Sequence, residues 1–178
     1  MKRAVLPMIV LLTLALNADA AFFNMTCTVA SSTLALNPYD VLSGTATTTP
    51  TGSITVRCTS TATSAVTVNY TLSLSTTPTR QLTSGANTLG YDLYTNSAMT
   101  IPWGTAGPAC VAGSNTNRGN LICGSFSVPR GSSRQQTKNY YGKIPGGSDV
   151  PTGTYTQNNI AVTLTYSCNP APTAGGTC

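Results

Sequence analysis

Residues 159–166, NIAVTLTY, place a large apolar residue at every second position. A strand with one face against a core and the other toward solvent has this period of two, because successive side chains point to opposite faces. The segment therefore predicts a half-buried β-strand, the clearest of several in the chain. The apolar residues that this strand places on one face are Ile160, Val162, Leu164 and Tyr166.

The same alternation recurs upstream, whereas helical periodicity is almost lacking after residue 20. Stretches rich in Gly, Pro, Asn and Ser separate the alternating runs, as turns do. Short β-type runs separated by turns predict a single all-β domain folded as a sandwich. The upstream runs occupy residues 22–29, 53–58, 65–74, 89–94, 125–128 and 140–144.

The chain after Tyr166, SCNPAPTAGGTC, has a different character. Its two prolines and two glycines are unfavourable for a core strand. Residues 159–166 are therefore expected to form the last strand, and residues 169–178 a C-terminal tail. About six of these runs are of long or moderate length, against roughly seven strands in a complete immunoglobulin-type sandwich. This count falls about one strand short of such a sandwich.

Ionisable residues are scarce: 7% of the chain is charged, with nine Lys+Arg, four Asp+Glu and no His. Without His, neither a Ser-His-Asp site nor an imidazole-ligated zinc site can form. Asp40, Asp92 and Asp149 stand far apart in the sequence and suggest no carboxylate pair. The basic residues form no dense cluster of a nucleic-acid type. We therefore expect no enzymatic activity, no cofactor, no metal and no nucleic-acid partner.

Residues 1–20 have the pattern of a signal peptide. A basic pair, KR, precedes an apolar stretch over residues 4–16, and the triplet ADA at 18–20 fits the cleavage rule, with the cut before Ala21. The apolar stretch is too short for a transmembrane anchor. We expect export and no stable membrane insertion, with the domain itself spanning residues 21–168.

Six cysteines follow the predicted signal peptide. An even number in an exported chain predicts disulfides, and many pairings of six cysteines are open. A bridge that closes a short loop contributes about 3 kcal/mol in the chain-entropy model. The order of the cysteines suggests three local bridges: Cys27 with Cys58, Cys110 with Cys123, and Cys168 with Cys178.

Short blocks spread over nearly all of the mature chain are CTV (27–29), PYDVLSG (38–44), TGSITVRCT (51–59), LGYDLYT (89–95), WG (103–104), YGKIP (141–145), PTGTY (151–155) and VTLTY (162–166). In this order and spacing they resemble the spore coat protein U domain family, whose members include subunits of the archaic, Csu-type chaperone–usher pili. Four cysteines look like additions to the family pattern: Cys110, Cys123, Cys168 and Cys178.

The resemblance implies an incomplete immunoglobulin-like sandwich with a hydrophobic groove beside residues 160–166. A periplasmic chaperone would fill this groove during export, and the N-terminal donor strand of a neighbouring pilin would fill it in the fibre. Such a strand supplies backbone hydrogen bonds and side chains to an exposed edge. The resemblance also implies an outer-membrane usher, a pilus at the cell surface, and a bridge between Cys27 and Cys58.

One departure from the family concerns the N-terminus. A donor strand needs about 10 alternating residues to span a groove, but only residues 21–26 would precede Cys27 after cleavage. We therefore expect a tip-like or minor subunit that accepts a strand without donating one, acting in surface adhesion or biofilm formation. Two alternatives are an extracellular coat or matrix protein that assembles without an usher, and a ligand-binding adhesin. Residues 99–103, MTIPW, form either an exposed hydrophobic finger or a plug that places Trp103 in the core.

Overall fold

The computed structural model describes residues 22–31, 39–42, 44–48, 51–75, 80–156 and 161–178. The regular structure of these residues consists of strands, with no helix among them. The predicted signal peptide and Ile160 lie outside them. The strands are β1 (Met25–Ser31), β2 (Thr47–Thr48), β3 (Gly52–Ser60), β4 (Val66–Leu74), β5 (Gln81–Ser84), β6 (Asn87–Gly90), β7 (Asp92–Tyr94), β8 (Ile122–Val128), β9 (Ser133–Ile144) and β10 (Val162–Asn169).

The strands form two main sheets around one core. The first sheet has the order β1-β3-β9-β2, with β7 also paired to β9, and the second has the order β10-β4-β8. A hairpin of β5 and β6 stands beside them. All of these pairings are antiparallel. Inward-facing residues of both sheets belong to one hydrophobic cluster, which confirms the prediction of an all-β sandwich.

The central strands bury every second residue, as their sequence alternation predicts. Tyr70 of β4 lies in the core, where its hydroxyl donates a hydrogen bond to Gln136 Oε1 at 2.6 Å. Burial raises the pKa of Tyr70, so this hydroxyl stays protonated. A Cβ atom at Gly124 would overlap the Tyr70 ring, so the facing strand requires glycine there.

Several predicted strand boundaries differ from the observed ones. The last strand continues past Tyr166 to Asn169, because Cys168 still pairs with Val68 of β4. The predicted strand at 140–144 is only the end of the twelve-residue β9. The predicted strand at 89–94 is interrupted at a buried Tyr91.

Three disulfides join the cysteines in the order that the sequence suggests: Cys27 with Cys58, Cys110 with Cys123, and Cys168 with Cys178. Each has a distinct role. The first joins directly opposed residues of β1 and β3. The second ties the long segment between β7 and β8 to β8, and the third folds the tail back onto β10.

Trp103 belongs to the core, with a relative exposure of 1%. Its indole N–H donates to the Leu72 carbonyl oxygen at 3.1 Å, and its ring centroid lies 5.5 Å from that of Tyr140. The segment 99–103 therefore plugs one end of the sandwich through Trp103, whereas Ile101 is 41% exposed.

Candidate functional site

The outer edge of β8 is closed by side chains from the segment that precedes it. Asn117 Oδ1 accepts a hydrogen bond from the Cys123 N–H at 3.2 Å, and Asn115 Oδ1 accepts one from the Ser125 N–H at 2.8 Å. These N–H groups lie on the side of β8 that faces away from β4. An exposed row of such groups would be a template for pairing with another chain, and the two asparagines satisfy it internally.

Side chains of β9 donate hydrogen bonds to backbone carbonyl groups of the same edge of β8. Arg134 donates to the Ser127 carbonyl oxygen at 3.1 Å, and Gln136 donates to the Ser125 carbonyl oxygen at 3.5 Å. The Lys138 ammonium donates to the Asn115 backbone oxygen at 2.7 Å, which fixes the capping segment. Burial lowers the pKa of Lys138. The sandwich is therefore closed along β8 and β9.

Removing both asparagine caps is expected to destabilise the domain. In Asn115→Ala/Asn117→Ala, two buried N–H groups of β8 lose their acceptors, at about 1–3 kcal/mol each. Urea unfolding should report a loss of about 2–6 kcal/mol. The control Asn139→Ala alters an exposed residue of β9 and should stay within about 0.5 kcal/mol of the parent. A double variant that unfolds at the parent's urea midpoint would contradict the assigned role.

The opposite edge of the second sheet, β10, is open. Within the described residues, β10 pairs with β4 and with no other strand. The Ser75 N–H donates to the Ala161 carbonyl at 2.9 Å, so odd-numbered positions of β10 bond to β4. Because bonding directions alternate along a strand, even-numbered positions point their N–H and C=O groups away from β4. Those positions are Val162, Leu164, Tyr166 and Cys168.

Strand β1, an edge strand of the first sheet, lies opposite β10, and the two strands form the walls of a gap between the sheets. The Thr61 N–H donates to the Asn24 carbonyl at 3.0 Å, so even-numbered positions here bond toward β3. Met25, Cys27 and Val29 therefore direct their backbone groups toward β10. At one end the Tyr166 hydroxyl bridges the walls by donating to the Met25 carbonyl oxygen at 3.3 Å.

The inward side chains between these walls are incompletely covered. Inward residues of β3 and β4 are fully buried, whereas every inward residue of β10 is only half-buried. Cys27 and Val29 of β1 are half-buried as well. We name as the open groove the space between the walls lined by these half-buried, uncharged residues: Cys27, Val29, Val162, Leu164 and Tyr166.

Three of the four groove residues predicted from the sequence lie together on the inner face of β10, namely Val162, Leu164 and Tyr166. Ile160 lies outside the described residues. The β1 wall was missing from the prediction, although alternation of Met25, Cys27 and Val29 could have signalled it. One apolar strand does not reveal which other strand it will face, because that depends on the sheet order.

A cavity of about 570 Å³ lies away from the open groove, between the β5–β6 hairpin and the end of β9. Tyr39, Leu82 and Val150 are among its lining residues, and Asp40 is its charged one. Among the described residues, no group of three or more His, Cys, Asp or Glu could hold a metal ion. This cavity has a polar rim but no arrangement that defines a reaction.

The geometry defines a class of protein: an antiparallel β-sandwich with one capped edge and one open edge. The Spore Coat Protein U domain family model matches residues 12–165, most of the chain, and the chain therefore belongs to this family. Comparison with curated proteins gives no significant match. The family consists of exported proteins associated with chaperone–usher pili or coats. The described residues include no helix of the length and apolarity needed to cross a membrane.

Proposed function

We propose that the protein is an exported, non-catalytic structural subunit that accepts a β-strand from another protein in the open groove. The observation that carries the proposal is the half-burial of Val162, Leu164 and Tyr166 beside backbone groups of β10 that pair with no other strand among the described residues. A strand laid there would pair with β10 and cover these side chains, which is the known mode of β-strand addition.

The proposed partners are a periplasmic chaperone that fills the open groove during export and a neighbouring pilin that fills it in the fibre, with an outer-membrane usher between these stages. Membership of the family supports such assembly partners in general terms. The capped edge of β8 supports the choice of site, because β8 and β10 are the two edges of the second sheet among the described residues and the caps satisfy the N–H groups of β8.

We further propose a tip-like or minor position in the pilus, with a role in adhesion or biofilm formation. Phe23 and Met25 are each 2% exposed and belong to the subunit's own core. With cleavage before Ala21, Ala21 and Phe22 would precede them, which is too little chain to fill a neighbour's groove. A subunit of this kind would accept a strand and end the fibre.

The test compares an inward and an outward substitution on β10. Leu164→Asp places a charge in the open groove, and Thr165→Asp places one on the exposed face of the same strand. Tagged protein purified from the periplasm of the native cell should carry a stoichiometric chaperone in the parent and in Thr165→Asp. The Leu164→Asp variant should lose it while keeping its disulfides. A chaperone bound equally by all three proteins, or by none, would contradict the proposal, and the latter outcome would favour a coat protein that assembles without an usher.

A further inference from the structure

The predicted C-terminal tail begins one residue later than expected, at Pro170, because β10 ends at Asn169. It turns back from β10 and pairs with the start of β1. Thr177 and Asn24 form a parallel β-bridge. The Met25 N–H donates to the Thr177 carbonyl oxygen at 2.9 Å, and the Thr177 N–H donates to the Phe23 carbonyl oxygen at 3.2 Å. The disulfide between Cys168 and Cys178 closes this turn covalently.

Two glycines allow the tail to approach β1 this closely. A Cβ atom at Gly176 would lie 2.6 Å from the Phe23 carbonyl oxygen, which is too short for any side chain. Gly175 has a φ of +91°, a conformation that favours glycine. The sequence pattern that disfavours a core strand thus permits a close turn against β1.

The tail occupies one end of the open groove. The Met25 backbone belongs to the set that faces β10, and its N–H is the first of that set along β1. Burial follows the position of the tail: Met25 is 2% exposed, whereas Cys27 and Val29 further along β1 are half-buried. The tail therefore already covers the place that an added strand would otherwise take beside Met25.

We propose that the disulfide-closed tail is a fixed stop that sets where a donor strand ends. This inference rests on the proposed function. The donor is an extended segment of another chain with alternating apolar side chains. The donor lies between residues 162–166 and 27–31. The end of the donor that is nearest the tail stops short of Met25. Five residues of strand span about 17 Å, which leaves room for about three inward side chains.

The stop is a property of this chain beyond its family match, which ends at residue 165. Because a disulfide holds the tail, a donor cannot displace it by competing for hydrogen bonds alone. A donor that follows the direction of the tail runs parallel to β1 and antiparallel to β10, so its N-terminal end meets Thr177.

The test uses two synthetic peptides and three proteins. One peptide is a five-residue segment of alternating Val and Thr that begins and ends with Val, and the other carries four more alternating residues at its N-terminus. The proteins are the parent, Cys168→Ser/Cys178→Ser, which releases the tail, and Cys110→Ser/Cys123→Ser, which removes a disulfide of similar span elsewhere. Affinity is measured by fluorescence anisotropy.

The extension should raise affinity about tenfold in the released variant, since it buries at least one more apolar side chain. In the parent and in the control variant it should change affinity less than about twofold. An equal gain in all three proteins would overturn the tail proposal and leave the proposed function standing. If the shorter peptide bound none of the proteins, the proposed function would fail, and this inference with it.

Amide hydrogen exchange of the parent gives a readout that needs no variant. The Met25 amide should be protected before any peptide is added, because it is bonded to Thr177. The Cys27 and Val29 amides should gain protection only when the five-residue peptide binds. A Met25 amide that is unprotected in the free protein would contradict the fixed stop.

Discussion

A donor strand fused after Cys178 is expected to raise the melting temperature by about 10 °C or more, at roughly 2–4 °C for each kcal/mol in a domain of this size. The strand would cover the half-buried side chains of the open groove, at up to about 1.5–3 kcal/mol for each large apolar residue brought from exposed to buried. It would also bond the outward backbone groups of β10. Because Thr177 already runs parallel to β1, a fused segment enters the groove with a short linker.

The matched control carries the same fused residues shifted by one position. A one-residue slip turns every apolar side chain of a strand to the opposite face. This fusion should therefore have the same melting temperature as the unfused protein. Scanning calorimetry of the three proteins makes the comparison, and the unfused protein should also be the most prone to aggregate. If both fusions had the melting temperature of the parent, the sandwich would already be complete. The coat protein that assembles without an usher would then be the favoured function.

The second large effect is expected from Trp103→Ala, which should cost about 3–5 kcal/mol of the free energy of unfolding. The substitution leaves a cavity beside Tyr140 and removes the hydrogen bond to the Leu72 carbonyl oxygen. Urea unfolding measures the loss. The neighbouring Ile101→Ala is the control, because Ile101 is 41% exposed and should contribute little. Equal effects of the two substitutions would mean that Trp103 is not the plug of the core.

The sequence predicts those strands whose buried faces are apolar. Strands β3, β4 and β10 were expected close to their observed places, because each contacts the core through every second residue. The first half of β9 was missed, because its sequence, SRQQTK, has no apolar alternation. Pairing with β3 holds it instead, including hydroxyl contacts of Thr55 with Thr137 at 2.9 Å and of Thr59 with Ser133 at 2.7 Å.

The candidate site was only partly predictable for a related reason. The apolar face of β10 is visible in the sequence, since Val162, Leu164 and Tyr166 alternate with threonine and serine. The β1 wall and the tail join the site through sheet order and through a parallel contact between residues far apart in sequence, Asn24 and Thr177. Local periodicity carries no information about either contact.

The asparagine caps of β8 have a consequence for the setting in which the protein works. An amide side chain does not ionise, so Asn115 and Asn117 accept their hydrogen bonds equally well in acidic and alkaline media. The ion pair between Arg80 and Asp92 has an N–O distance of 4.0 Å, and both side chains are partly exposed. Exposed ion pairs of this kind contribute little to the free energy of unfolding. The caps therefore tolerate the changes in acidity and salt that a cell does not control outside its own envelope, except that the bond from Lys138 to the Asn115 backbone oxygen weakens in alkaline media, because burial lowers the pKa of Lys138.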